Sequence, residues 1–186
     1  VSEAPALLGD LRERRGGCSR RGVVGGAPAP ALWGIRELTL SYNPLCTEGL
    51  QSLSESSNWS NLLQLRLLNY EDRAGAVTED AGERFFRSLV APNLRTLRVT
   101  GVPVQSKGAL MLSQSSTLPG LRILDLSRTG ITAEGARILV EAENLQQLIG
   151  LYLELNPLGD GVERLTSPDV MPMLRFLDLR QTSVPM

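Results

Sequence analysis

From Ile35 onward the apolar residues obey one rule, apolar-x-x-Leu-x-apolar-x-x-(Asn/Thr)-x-apolar, which begins again at Leu62, Leu94, Leu121, Leu148 and Leu174. The steps between successive starts are 27, 32, 27, 27 and 26 residues. Inside each unit the Leu-x-apolar alternation (Leu38-Leu40, Leu65-Leu67, Leu97-Val99, Leu124-Leu126, Leu151-Leu153, Leu177-Leu179) predicts a short strand with both apolar side chains on one face. Between strands, Thr47–Ser57, Glu79–Val90, Lys107–Gln114 and Ala133–Ala142 carry apolar residues three or four apart and predict helical returns. Strands joined through helices must run parallel. Pro92, Pro119 and Pro172 each stand two residues ahead of a new unit, where they help to stop the preceding helix. Units of this kind cannot bury their own apolar face and are stable only when stacked.

The residue after each strand is expected to pair backbone groups that the sharp turn leaves inside the stack, work that suits an amide side chain. Asn43 and Asn156 supply it, and Thr129 and Thr182 partly replace it. Tyr70 and Val102 depart from the rule. Val102 has nothing polar to offer, so a neighbouring backbone group must find another partner or cost about 1–3 kcal/mol.

Four or five spaced positions recurring together resemble the leucine-rich repeat family over about four fifths of the chain. The second halves, Leu45-x-x-x-Gly49-Leu50-x-x-Leu53, Ile131-x-x-x-Gly135-Ala136-x-x-Leu139 and Leu158-x-x-Gly161-x-x-x-Leu165, look like the ribonuclease-inhibitor-like subclass. That resemblance implies a right-handed α/β solenoid, a horseshoe with a parallel concave sheet and convex helices, which binds proteins on its concave surface. The expected organisation is a lead-in over 1–31, with a helix at Ala4–Arg15 and a Gly/Ala/Pro linker. Six repeats follow over 32–186, the last one incomplete. The second repeat is five residues longer than the common 27, and the excess at 71–76 is expected to form a mobile loop over the rim of the sheet.

Alternation sends register positions 3, 5 and 7 away from the leucines. Position 5 reads Thr39, Arg66, Arg98, Asp125, Tyr152 and Asp178, and position 7 ends in Glu154 and Arg180. The expected partner surface is Arg66, Arg98, Asp125, Tyr152, Glu154, Asp178 and Arg180, basic in the second and third repeats and mainly acidic beyond them. Such a mixture suits electrostatic matching to a protein. The alternative is RNA or another anion held by Arg66, Arg98 and the Arg-rich stretch Arg12, Arg14, Arg15, Arg20, Arg21. Three carboxylates on the same surface would repel a phosphate backbone.

Composition narrows the chemistry further. With a net charge of −1 the chain is not built mainly to neutralise phosphates. There is no histidine, so neither a Ser/His/Asp nor a Cys/His constellation can be assembled. A hydrolase would have to use Asp125, Glu154 and Asp178, on a sheet with no closed pocket to raise a carboxyl pKa. The chain is therefore read as non-enzymatic. Cys18 and Cys46 lack metal-ligand spacing, so neither metal nor cofactor is expected, and a reducing, cytoplasmic compartment is. The last strand ends near Met186 with no returning helix, which predicts self-association through that edge or further repeats beyond it.

Overall fold

The computed structural model describes residues 34–41, 45–57, 59–69, 77–167 and 169–182. The expectations for the lead-in, Asn43, Tyr70 and the 71–76 loop lie outside them. Strands and helices alternate in the order β1 (Glu37–Ser41), α1 (Thr47–Ser54), β2 (Gln64–Leu68), α2 (Ala81–Ser88), β3 (Thr96–Thr100), α3 (Gln105–Ser113), β4 (Ile123–Asp125), α4 (Ala133–Glu141), β5 (Gly150–Tyr152), α5 (Gly161–Leu165) and β6 (Phe176–Asp178). The strands form one six-stranded sheet in sequence order, and every neighbouring pair is parallel. This is the expected α/β solenoid, with its helices stacked in the same order on the convex side. Helices α1 to α4 start and stop within three residues of the four predicted segments.

The register of the sheet is the register of the sequence. Leu38, Leu65, Leu97, Leu124, Leu151 and Leu177 are successive cross-strand partners. A recurring backbone bond sets it at each strand entry: Leu63 and Gln64 N–H both donate to Arg36 O, and Arg95 and Thr96 N–H to Leu63 O. The same pair of bonds is made by Arg122 and Ile123 to Arg95 O, by Ile149 and Gly150 to Arg122 O, and by Arg175 and Phe176 to Ile149 O.

The core is one continuous cluster running the length of the stack. Trp59 is buried under α1, and its indole N–H donates to Leu53 O at 2.8 Å, so the one polar atom of a large apolar group is satisfied. Helices approach closely enough to need glycine: a Cβ on Gly82 would lie 2.5 Å from Val104 Cα and 2.6 Å from Pro103 O. Both neighbours are backbone and cannot swing aside. At the amino end of α1 the Cys46 sulfur accepts the Gly49 N–H at 3.4 Å. Cys18 lies outside the described residues. Among the described residues no helix is long and apolar enough to cross a membrane.

Asn156 performs the work expected of the turn position. Its buried Oδ1 accepts from Thr129 N–H at 3.1 Å and Ile131 N–H at 3.0 Å, and its Nδ2 donates to Leu126 O at 2.8 Å and Leu153 O at 2.9 Å. One side chain thus ties the fourth unit to the fifth. Thr129 Oγ1 donates to Leu126 O and Thr182 Oγ1 to Leu179 O, at 2.5 and 2.7 Å, the partial replacement anticipated for threonine. Around Val102 the missing amide is made good by the next unit: Val104 and Gln105 N–H both donate to Thr129 O, at 2.9 and 3.0 Å. Backbone groups there have found another partner, and the feared cost does not arise at these amides.

Asn156→Ala removes acceptors and donors from several buried backbone groups at once and is expected to destabilise the fold by about 3 kcal/mol or more. Chemical denaturation measures it; a loss below about 1 kcal/mol would mean that water or relaxation replaces those bonds. Gly82→Ala should cost about 1–3 kcal/mol by forcing α2 off α3, although alanine favours helices elsewhere. A stability equal to or above that of the parent would contradict the close approach.

Candidate functional site

Position 5 of each unit occupies one cross-strand row, Thr39, Arg66, Arg98, Asp125, Tyr152 and Asp178, on the face opposite the leucines. Arg66 and Arg98 are direct partners on adjacent strands, about 4.8 Å apart at the backbone. Like charges placed this way repel. Their neighbours offset little of that repulsion. Arg66 Nη2 donates to the neutral Gln64 Oε1 at 2.8 Å, and Arg98 Nη1 stands 3.5 Å from Asp125 Oδ2, a long separation for a hydrogen bond. Each guanidinium also keeps a buried Nε without a hydrogen-bond partner. Arg98 lies over the Tyr152 ring, 5.4 Å from its centroid, which stabilises the cation without neutralising it.

The carboxylates on this face are largely committed to their own chain. Asp125 Oδ1 accepts from Ser127 N–H at 3.0 Å and Ser127 Oγ at 2.7 Å, closing the end of β4. Asp178 repeats the device at β6, accepting Arg180 N–H at 3.1 Å, and its carboxylate also takes Arg180 Nε and Nη2 at 2.9 and 2.7 Å. The same Arg180 Nη2 reaches Glu154 Oε2 at 3.1 Å. Hydrogen bonding from Arg180 holds the Asp178 carboxyl below its ordinary value of 3.8.

Just past the strands, the residue at position 8 takes a left-handed backbone in four successive units: Gly101 (φ 72°), Arg128 (58°), Leu155 (57°) and Gln181 (53°). At Gly101 a Cβ would lie 1.9 Å from Asn69 O, so only glycine fits. This turn sets Arg128 and Leu155 at the rim, where Leu155 is 40 % exposed. Together with Arg66, Leu68, Arg98 and Asp125 they line an open hollow of about 440 Å³, with Glu154 at its edge.

Of the seven residues expected at a partner surface, Arg66, Arg98, Asp125 and Glu154 line the hollow. Tyr152 adjoins it through Arg98. Asp178 and Arg180 form a separate cluster joined to Glu154. Sequence reading passed over position 3, which faces the same way. There Ile123, Gly150 and Phe176 are cross-strand partners, the Tyr152 ring lies over Gly150 with Cε2 3.2 Å from where a Cβ would stand, and Phe176 is 60 % exposed. The period-two alternation that exposed position 5 carried this signal too.

An acid–base reading finds poor material in this arrangement. A general acid at neutral pH needs a carboxyl pushed up by burial, whereas Arg180 pulls Asp178 down and Ser127 holds Asp125 in the turn.

Comparison with known proteins agrees with this fold. A leucine-rich repeat family model matches residues 119–139, the stretch from the end of the third unit into α4. The chain is 38% identical over 94 residues to the Tonsoku-like protein of Mus musculus, an alignment covering 47% of this chain and 7% of that protein. It therefore spans only a small part of that relative's length. A crystal structure of a Bacteroides fragilis protein superposes with a TM-score of 0.56 at 21% identity, over 81% of this chain and 42% of that one, a likeness of fold. Stacked units, parallel sheet and the match of one unit to the family model together define a leucine-rich repeat fold.

Because its pKa is depressed in the folded state, Asp178 contributes stability above pH 3.8 that is lost as the pH falls through its lower folded value. Arg180→Gln should return the Asp178 titration midpoint, followed by carboxyl-carbon NMR, toward 3.8 while changing neutral-pH stability little, since Arg180 is 70 % exposed. A midpoint at or above 3.8 in the parent, unmoved by the substitution, would contradict the pairing.

Proposed function

We propose that this chain is a protein-interaction scaffold that seats a protein partner on its concave face, centred on Arg66, Arg98 and Tyr152 and flanked by Asp125, Glu154, Asp178 and Arg180. Leucine-rich repeat domains generally mediate protein–protein contact. The observation that carries the reading to this face is the Arg98 guanidinium lying over Tyr152 beside the in-register Arg66. Arg and Tyr are the side chains most often found as interface hot spots, and here both stand on a rigid sheet that loses little freedom on binding. The helical return in five units supports placing the array in the ribonuclease-inhibitor-like subclass, and the organisation as one repeat domain over 32–186 belongs to the same proposal.

RNA binding is the weaker reading. Asp125, Glu154 and Asp178 stand on or just past the three strands that follow Arg98, where a phosphate backbone would meet them.

Affinity capture with the whole chain, parent against Arg66→Glu/Arg98→Glu, tests the proposal. At least one protein partner should be lost or bound about 30-fold more weakly, as expected for removal of a hot spot, with an unchanged circular-dichroism spectrum. Full retention of every captured protein by the charge-reversed variant would contradict it.

A further inference from the structure

The concave face holds two unlike features whose separation is set by the sheet. At β2 and β3 stands a cationic pair, Arg66 and Arg98, with Arg128 on the rim above it. Set against these three positive charges in the hollow are Asp125, closed on Ser127 through one oxygen with the other 3.5 Å from Arg98, and Glu154, bonded to Arg180. Among the described residues Arg128 makes no side-chain bond. The pair is thus short of an acceptor, and planar guanidinium groups in register match the two oxygens of a carboxylate. At β4 to β6 lies an apolar strip of Ile123, the Tyr152 ring and Phe176, in which a residue larger than glycine at position 150 would lift the ring. Phe176 is the most exposed large apolar side chain among the described residues.

We infer that the partner of this face is an extended peptide segment bearing an acidic side chain that enters the Arg66–Arg98 hollow and an apolar side chain, about five residues away, that covers the Phe176–Tyr152 strip. The inference rests on the proposed scaffold role and names the chemistry of its partner. Its spacing follows from the sheet. Three interstrand steps of about 4.8 Å separate Arg98 from Phe176, and two residues of rise add about 6.7 Å, which gives about 16 Å. An extended chain covers that distance in about five residues. A single carboxylate fits better than a phosphate chain, because the apolar strip offers a polyanion nothing and Asp178 flanks it.

Selection of short random peptides displayed on phage against the whole chain tests the inference, followed by fluorescence anisotropy of the labelled winners. Enriched peptides should carry Asp or Glu about five residues from an aromatic or large aliphatic residue. Arg66→Gln/Arg98→Gln should weaken their binding at least about tenfold, the loss of one charge-assisted contact. Arg66→Lys/Arg98→Lys, which keeps the charge and loses the planar fork, should restore it only in part. Phe176→Ser should relax the apolar preference alone. Circular-dichroism melts of each variant separate lost binding from lost folding. Enrichment of basic peptides, absence of any enrichment, or tighter binding of single-stranded RNA through the same pair would overturn the inference while leaving a concave binding face in place. Winners insensitive to every one of these substitutions would overturn the inference and the scaffold reading together.

Discussion

Leu65 and Leu67 have no exposure to solvent because Leu38 and Leu40 lie on one side of them and Leu97 and Val99 on the other. Everything else in the molecule depends on that mutual cover. In the four inner strands both apolar positions are shut from water, whereas in β1 and β6 the corresponding leucines are only half-buried. A fully buried leucine is worth about 1.5–3 kcal/mol, so each unit draws its stability from its neighbours. Nearest-neighbour burial fixes the register, and the register places every side chain on the opposite face.

The polar interior follows the same logic. A tight turn repeated after β3, β4, β5 and β6 leaves backbone amides inside the stack, and the chain answers with whatever the adjacent unit supplies. Asn156 reaches back to the fourth unit, while the Thr129 carbonyl reaches back to the third. Because these bonds cross between units, loss of one turn side chain disturbs two repeats. This coupling joins the third, fourth and fifth units, which carry Arg98, Asp125 and Tyr152.

The fold was legible because its signal is written six times: Leu-x-apolar spacing located every strand, set the register and divided the two faces. The helices were legible to within a turn. The candidate site was legible only in part. Position 5 was read correctly as a row, but the commitment of Asp125 to Ser127 and of Asp178 to Arg180 depends on a bend past the strand that alternation does not describe. Leu155 reaches the rim through a left-handed backbone, which nothing about a leucine announces. Phe176 was visible as a residue of the last strand, yet its joining with Tyr152 and Ile123 required position 3 to be read across the strands. Val102 gave a real departure from the rule, and its resolution lay 27 residues away, at Thr129.

A central claim of face, concave against convex, is best tested by hydroxyl-radical footprinting of the chain alone and in complex with a captured partner. Tyr152 and the 60 %-exposed Phe176 report on the sheet, and Val90 and Leu110, 54 % and 39 % exposed, report on the helical side. Oxidation of Tyr152 and Phe176 is expected to fall in the complex while Val90 and Leu110 stay unchanged. Protection of Val90 and Leu110 with undiminished oxidation of Tyr152 and Phe176 would contradict a concave binding face.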